Sequence, residues 1–74
     1  MQKYNLPIII EKDEDGYIAY CPELPGCYTQ GDTYEEALAS IRDAIALHIH
    51  DRVENGEPVT HPEVLNIATV EVAV

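Results

Sequence analysis

Positive charge is scarce in this sequence: Lys3, Lys12, Arg42 and Arg52 are its 4 basic residues, against 14 Asp and Glu, for a formal net charge of −10 and a pI near 4.3. That balance argues against a nucleic-acid binder, because affinity for a phosphate backbone comes from neutralising it with Lys and Arg. It suits a basic protein partner, or serves only to keep a small domain soluble. Long apolar runs are missing too. Ile8-Ile9-Ile10 is too short for a signal-peptide core, and no stretch approaches the ~18 apolar residues of a membrane span, so a cytoplasmic protein with no membrane association is expected. Cysteine is limited to Cys21 and Cys27, separated by five residues in Cys-Pro-Glu-Leu-Pro-Gly-Cys. This spacing matches neither a redox pair nor a zinc site, and it reads as two free, partly buried thiols. A Gly-rich phosphate loop and calcium-loop spacing are also absent, so no cofactor and no metal are expected.

What remains is 74 residues and 8.3 kDa, enough for a single domain over 1–74. A chain of this size buries only about 60% of its unfolded surface, so it must use nearly every apolar residue or borrow surface from a partner.

Apolar residues alternate from Tyr4 to Glu11, with Tyr4, Leu6, Ile8 and Ile10 on one face, which predicts a half-buried first strand. Lys12 to Gly16 gathers charge and a glycine and reads as a five-residue hairpin loop. A second strand follows over Tyr17–Cys21, and Pro22 and Pro25-Gly26 turn the chain into a short third strand over Cys27–Gln30. Thr33 followed by Glu36 is a capping box, so a helix begins at Tyr34, with Glu35 and Glu36 at the positive end of its dipole. Ala37, Leu38, Ile41, Ala44, Ile45, His48 and Ile49 recur at helical steps as one apolar stripe, and Gly56 with Pro58 ends the helix at Asn55. Glu57 to Glu63 reads as an extended connection. Ile67 to Val74 alternates again, with Ala68, Val70, Val72 and Val74 on one face, and predicts a fourth strand. The expectation is an α+β fold of order β-β-β-α-β, one helix packed on a four-stranded mixed sheet of spatial order three, two, one, four.

Chemistry-bearing residues are poorly placed for catalysis. A two-metal nuclease needs converging carboxylates, but Glu11 falls at the end of the expected first strand and Asp43 lies off the helix's apolar stripe. His48 and His50 sit about 200° apart on a helix and cannot share an ion; His48 belongs to the core boundary, His50 to solvent, and His61 to the loop. Neither Ser40 nor either cysteine has a histidine within evident reach. No catalytic residue is assigned.

Asp15-Gly16-Tyr17-Ile18-Ala19-Tyr20-Cys21-Pro22-Glu23-Leu24-Pro25-Gly26-Cys27, followed by Gln30-Gly31-Asp32-Thr33-Tyr34-Glu35-Glu36-Ala37, resembles the signature of the HicB antitoxin family. With the opening Tyr4 to Glu11, the resemblance covers about the first fifty residues; the combination is specific where each piece alone is weak. It implies a truncated ribonuclease H-like fold and a non-catalytic role in neutralising a small basic RNA-cleaving toxin, HicA, by covering it. Longer members carry a DNA-binding module after the last strand; here the chain stops at Val74, so no direct nucleic-acid contact is expected. A second reading is a solitary, self-associating regulatory or ligand-sensing domain with no toxin partner. A third, from the enzyme class, is a metal-dependent nuclease.

Two surfaces are expected to carry partners. Asp13, Glu14, Asp15, Glu23, Glu35 and Glu36 gather in the first half as a contact set for a basic protein. Val70, Val72 and Val74 lie on an edge strand that lacks the Lys, Pro or bulge protecting free edges, which predicts a homodimer or higher homo-oligomer through that strand.

Overall fold

The hairpin is tighter than its sequence suggests. In the computed structural model, which describes residues 3–59 and 66–74, strand β1 (Ile9–Asp13) pairs antiparallel with β2 (Gly16–Tyr20), and Asp13 faces Gly16. Only Glu14 and Asp15 remain as the turn, not the five residues from Lys12 to Gly16, because the ladder continues to the Asp13–Gly16 pair. Asp13 Oδ1 accepts from the Asp15 N–H at 2.8 Å, an Asx-type bond that holds the turn. At the other end, Tyr4 to Ile8 carry no ladder although their alternation reads as strand. β2 stops at Tyr20 and the chain bends at Cys21, so these residues have no antiparallel neighbour on that side.

The corner from Cys21 to Cys27 is closed by its own backbone. Cys21 N–H donates to the Cys27 carbonyl at 3.0 Å, Leu24 N–H to Cys21 at 3.1 Å, and Cys27 N–H to Leu24 at 3.0 Å. These bonds drive Leu24 into the core, and both cysteines are buried as free thiols. β3 (Tyr28–Gly31) then pairs with the free edge of β2, giving the sheet order β1-β2-β3 that the sequence predicts for its first three strands.

Helix α1 (Tyr34–Glu54) follows directly. Thr33 caps it, its hydroxyl accepting from the Glu36 N–H at 3.1 Å. Gly56, at φ +71°, closes the far end: its N–H reaches the Val53 carbonyl at 3.2 Å and that of Glu57 reaches Arg52 at 2.8 Å, the Schellman pattern. Ala37 and Ile41 meet Ala19, Cys21, Leu24 and Cys27 in the core, flanked by Leu6, Ile8, Ile10, Tyr17, Leu38, Ala44 and Ile45. The stripe read from the sequence is the packed one as far as Ile45, whereas His48 and Ile49 are only half-buried.

The fourth strand is not there. Residues 67–74 form no strand, and the sheet has three strands among the described residues, so the four-stranded mixed sheet is corrected to a three-stranded antiparallel one. Val70 and Val72 are 82% and 71% exposed. Alternation encodes which faces a strand presents; pairing also needs an edge within reach, and this segment forms no ladder with the residues 4–8 expected beside it. Part of the connection, including His61, lies outside the described residues. No helix among the described residues is long and apolar enough to cross a membrane.

Candidate partner-binding face

Two glycines bring the acidic end of the molecule together. A Cβ on Gly16 would stand 2.8 Å from the Gly31 carbonyl oxygen, and one on Gly31 would stand 2.7 Å from the Ala37 nitrogen. With no side chain at either position, the hairpin tip, the end of β3 and the first turn of α1 close on one another. Asp13, Asp15, Asp32 and Glu36 therefore surround one cavity of about 350 Å³, floored by Gly16, Tyr17, Gly31 and neighbouring residues. Glu36 is held in place twice, its backbone N–H on the Thr33 hydroxyl and its Oε2 accepting from the Asp32 N–H at 2.9 Å. The second bond lands one residue before the cap, a variant of the capping box that turns the carboxylate toward the hairpin. Beside the cavity, Tyr17 and Tyr34 meet edge to face at 6.5 Å, and Lys12 Nζ stands 5.9 Å above the Tyr17 ring.

Of the acidic contact set read from the sequence, Asp13, Glu14, Asp15, Glu35 and Glu36 lie at this end, but Glu23 does not. It sits half-buried in the corner beyond Tyr20, at the opposite end of β2. Asp32 was missed: it belongs to the Gly31-Asp32-Thr33 helix start, whose residues read as purely structural until β3 and the hairpin are paired.

The side of the sheet away from the helix is a second open surface. Ile9, Ile18, Tyr20 and Tyr28 alternate away from the core-facing Ile10 and Ala19, and Tyr28 is 65% exposed. Glu11 also lies there. The shift of β1 places Glu11 at the centre of the strand, not at the end where the alternation from Tyr4 to Glu11 puts it. Its carboxylate accepts from the Tyr20 hydroxyl at 3.3 Å, and partial desolvation together with this anion pushes the Tyr20 phenol above its ordinary value. No group of three or more His, Cys, Asp or Glu converges to hold a metal among the described residues. His50 is solvent-facing and pairs with Glu54 at 3.2 Å, one turn on. Asp43 and Glu71 are both exposed. Burial, and then the neighbouring Cys21, push the Cys27 thiol above its ordinary value.

Comparison with known proteins covers nearly all of this geometry. A family model described as the HicB-like antitoxin of bacterial toxin-antitoxin systems matches residues 6–72. UPF0150 protein ssr1765 of Synechocystis sp. is 43% identical over 65 residues, 86% of this chain and 82% of that protein. Antitoxin HicB 2 of Photorhabdus laumondii is 36% identical over 66 residues, 89% of this chain but 48% of that antitoxin, so this chain spans about half its length. Among solved structures, a chain of a HicA3 and HicB3 toxin-antitoxin complex superposes with a TM-score of 0.61 at 32% identity, over 77% of this chain and 66% of that one.

Proposed function

Because this chain belongs to the HicB-like antitoxin family, we propose that it is a non-catalytic antitoxin that neutralises a small basic HicA-type toxin in the cytoplasm by covering it. The observation that carries this reading is the convergence of Asp13, Asp15, Asp32 and Glu36 on one cavity. Four carboxylates at one end of a chain of net charge −10 form an electrostatic target for a basic surface. Glu14 and Glu35 widen that target. The meander followed by one helix supports the truncated ribonuclease H-like reading of the fold.

The test uses a small basic HicA-type protein, sought among the genes that flank this one and purified for the purpose. Association rates measured between low and high salt are expected to fall about tenfold or more, and neutralising Asp13, Asp15 and Asp32 to Asn is expected to remove most of that dependence. Growth arrest caused by the toxin is expected to be relieved by co-expression of this chain. A tight complex with no salt dependence would move the interface away from the acidic end; absence of a complex would overturn the antitoxin reading.

A second reading, self-association through Val70, Val72 and Val74, is favoured by the exposure of these residues on a segment patterned as a strand. It is compatible with the first, since the acidic end and this segment are separate surfaces.

A further inference from the structure

Beside β1 the molecule holds an apolar groove of about 860 Å³, bounded on one side by Tyr4 to Ile8 and on the other by α1. Leu6, Ile8, Leu38, Ile41 and Ile45 line it, and Arg42 is the one charged lining residue among the described residues. Its floor is continuous with the core, because Leu6, Ile8, Leu38 and Ile45 pack against the buried cluster there. The edge of β1 facing away from β2 is unpaired among the described residues.

We propose that residues 68–74 of one chain seat in this groove on a second copy of the chain, each copy donating its segment to the other. This deepens the self-association reading above and rests on it. Four observations select the occupant. Ala68, Val70, Val72 and Val74 repeat with the period of two shown by Leu6, Ile8 and Ile10, so a strand laid along them presents its valines to the groove. Seven residues, 68–74, about 23 Å of strand, are enough to run the length of the groove wall from Tyr4 to Ile8 and on to the unpaired edge at the start of β1. Ile67 already lines the groove of its own chain, and the residues after it turn out into solvent instead of filling the rest. Finally, among the described residues the groove carries a cation and no anion, which disfavours a basic toxin as occupant, whereas the segment carries only Glu71. Reciprocal donation is two-fold symmetric and closes both edges at once.

Sedimentation equilibrium of the full chain at micromolar concentration is expected to give twice the mass of one 8.3 kDa chain. The double variant Val70→Lys, Val72→Lys alters an exposed segment, so it is expected to keep the far-ultraviolet circular dichroism of the parent and to lose about a hundredfold or more in dimer affinity. A mixing experiment separates donation from self-closure. Ile45→Lys puts a charge in the groove and Val72→Glu puts the opposite charge on the segment. Each alone is expected to be monomeric, and the mixture to recover a dimer, because the heterodimer pairs one Lys with one Glu and leaves the other groove unaltered. If Ile45→Lys loses helix signal, Leu6→Lys, outside the ladder, replaces it. A monomeric parent would overturn both this inference and self-association. A dimer that survives the double Lys variant would keep self-association and reject this groove, as would two folded monomers that do not recover on mixing.

Discussion

Gly31 shows how one absent side chain organises the acidic end. Its missing Cβ leaves room for the Ala37 nitrogen, and any Cβ there would meet backbone, which cannot rotate away. Gly31→Ala is expected to destabilise the fold by about 1–3 kcal/mol, read as a lower urea midpoint. The requirement could not be read from the sequence, where Gly31 looks like ordinary punctuation before a helix; it arises only once β3 lies against the first turn. Cys27 was more legible, since its spacing from Cys21 fits neither a redox pair nor a zinc site and already suggested a free, partly buried thiol. Burial raises its ionisation above the ordinary thiol value, so the unfolded chain releases the proton at lower pH than the folded one. The stabilisation is complete below the ordinary value, about pH 8.5, and is lost as pH rises through the folded value. Under reducing conditions the urea midpoint is expected to fall between pH 8 and pH 10, with a shallower fall in Cys27→Ala. The raised Tyr20 phenol adds a slope of the same sign at higher pH.

At the scale of the element, α1 outruns the sheet it covers. Twenty-one residues span about 31 Å, while five-residue strands span about 17 Å. Ile41, on the packed stripe, is 1% exposed, and Leu47, off that stripe, 71%. Helical spacing announced both ends of the helix and its packed stripe, and His48 and Ile49, read as the stripe's continuation with His48 at the core boundary, are half-buried. The last turns depend on their own termination. Gly56→Ala forces a left-handed residue with a Cβ and is expected to cost about 1 kcal/mol, with faster amide exchange confined to the turns after Leu47. Strand boundaries were legible to within a few residues, and they slipped where pairing decides them: β1 extends to Asp13 because Gly16 is there to pair with it. The final segment slipped altogether, because a period of two is the same whether the neighbouring strand belongs to this chain or to another.

The whole molecule is elongated, about 47 by 28 by 19 Å, and its order from β1 through β2 and β3 to α1 sets each element against the one made just before it. That succession bears on time as well as shape. Closing neighbours in sequence costs little loop entropy, so the part from β1 to the closing turn of α1 can form once Glu57 is available, without waiting for the residues after it. Refolding from urea, followed by tyrosine fluorescence, is expected to show a fast main phase whose rate does not depend on protein concentration. Any association of copies should follow as a separate, second-order phase. Under the proposed exchange of segments, the lifetime of the lone folded chain between those two events shortens as more chain is made, so the level of expression would act as a clock on how long a monomer stays available to other partners.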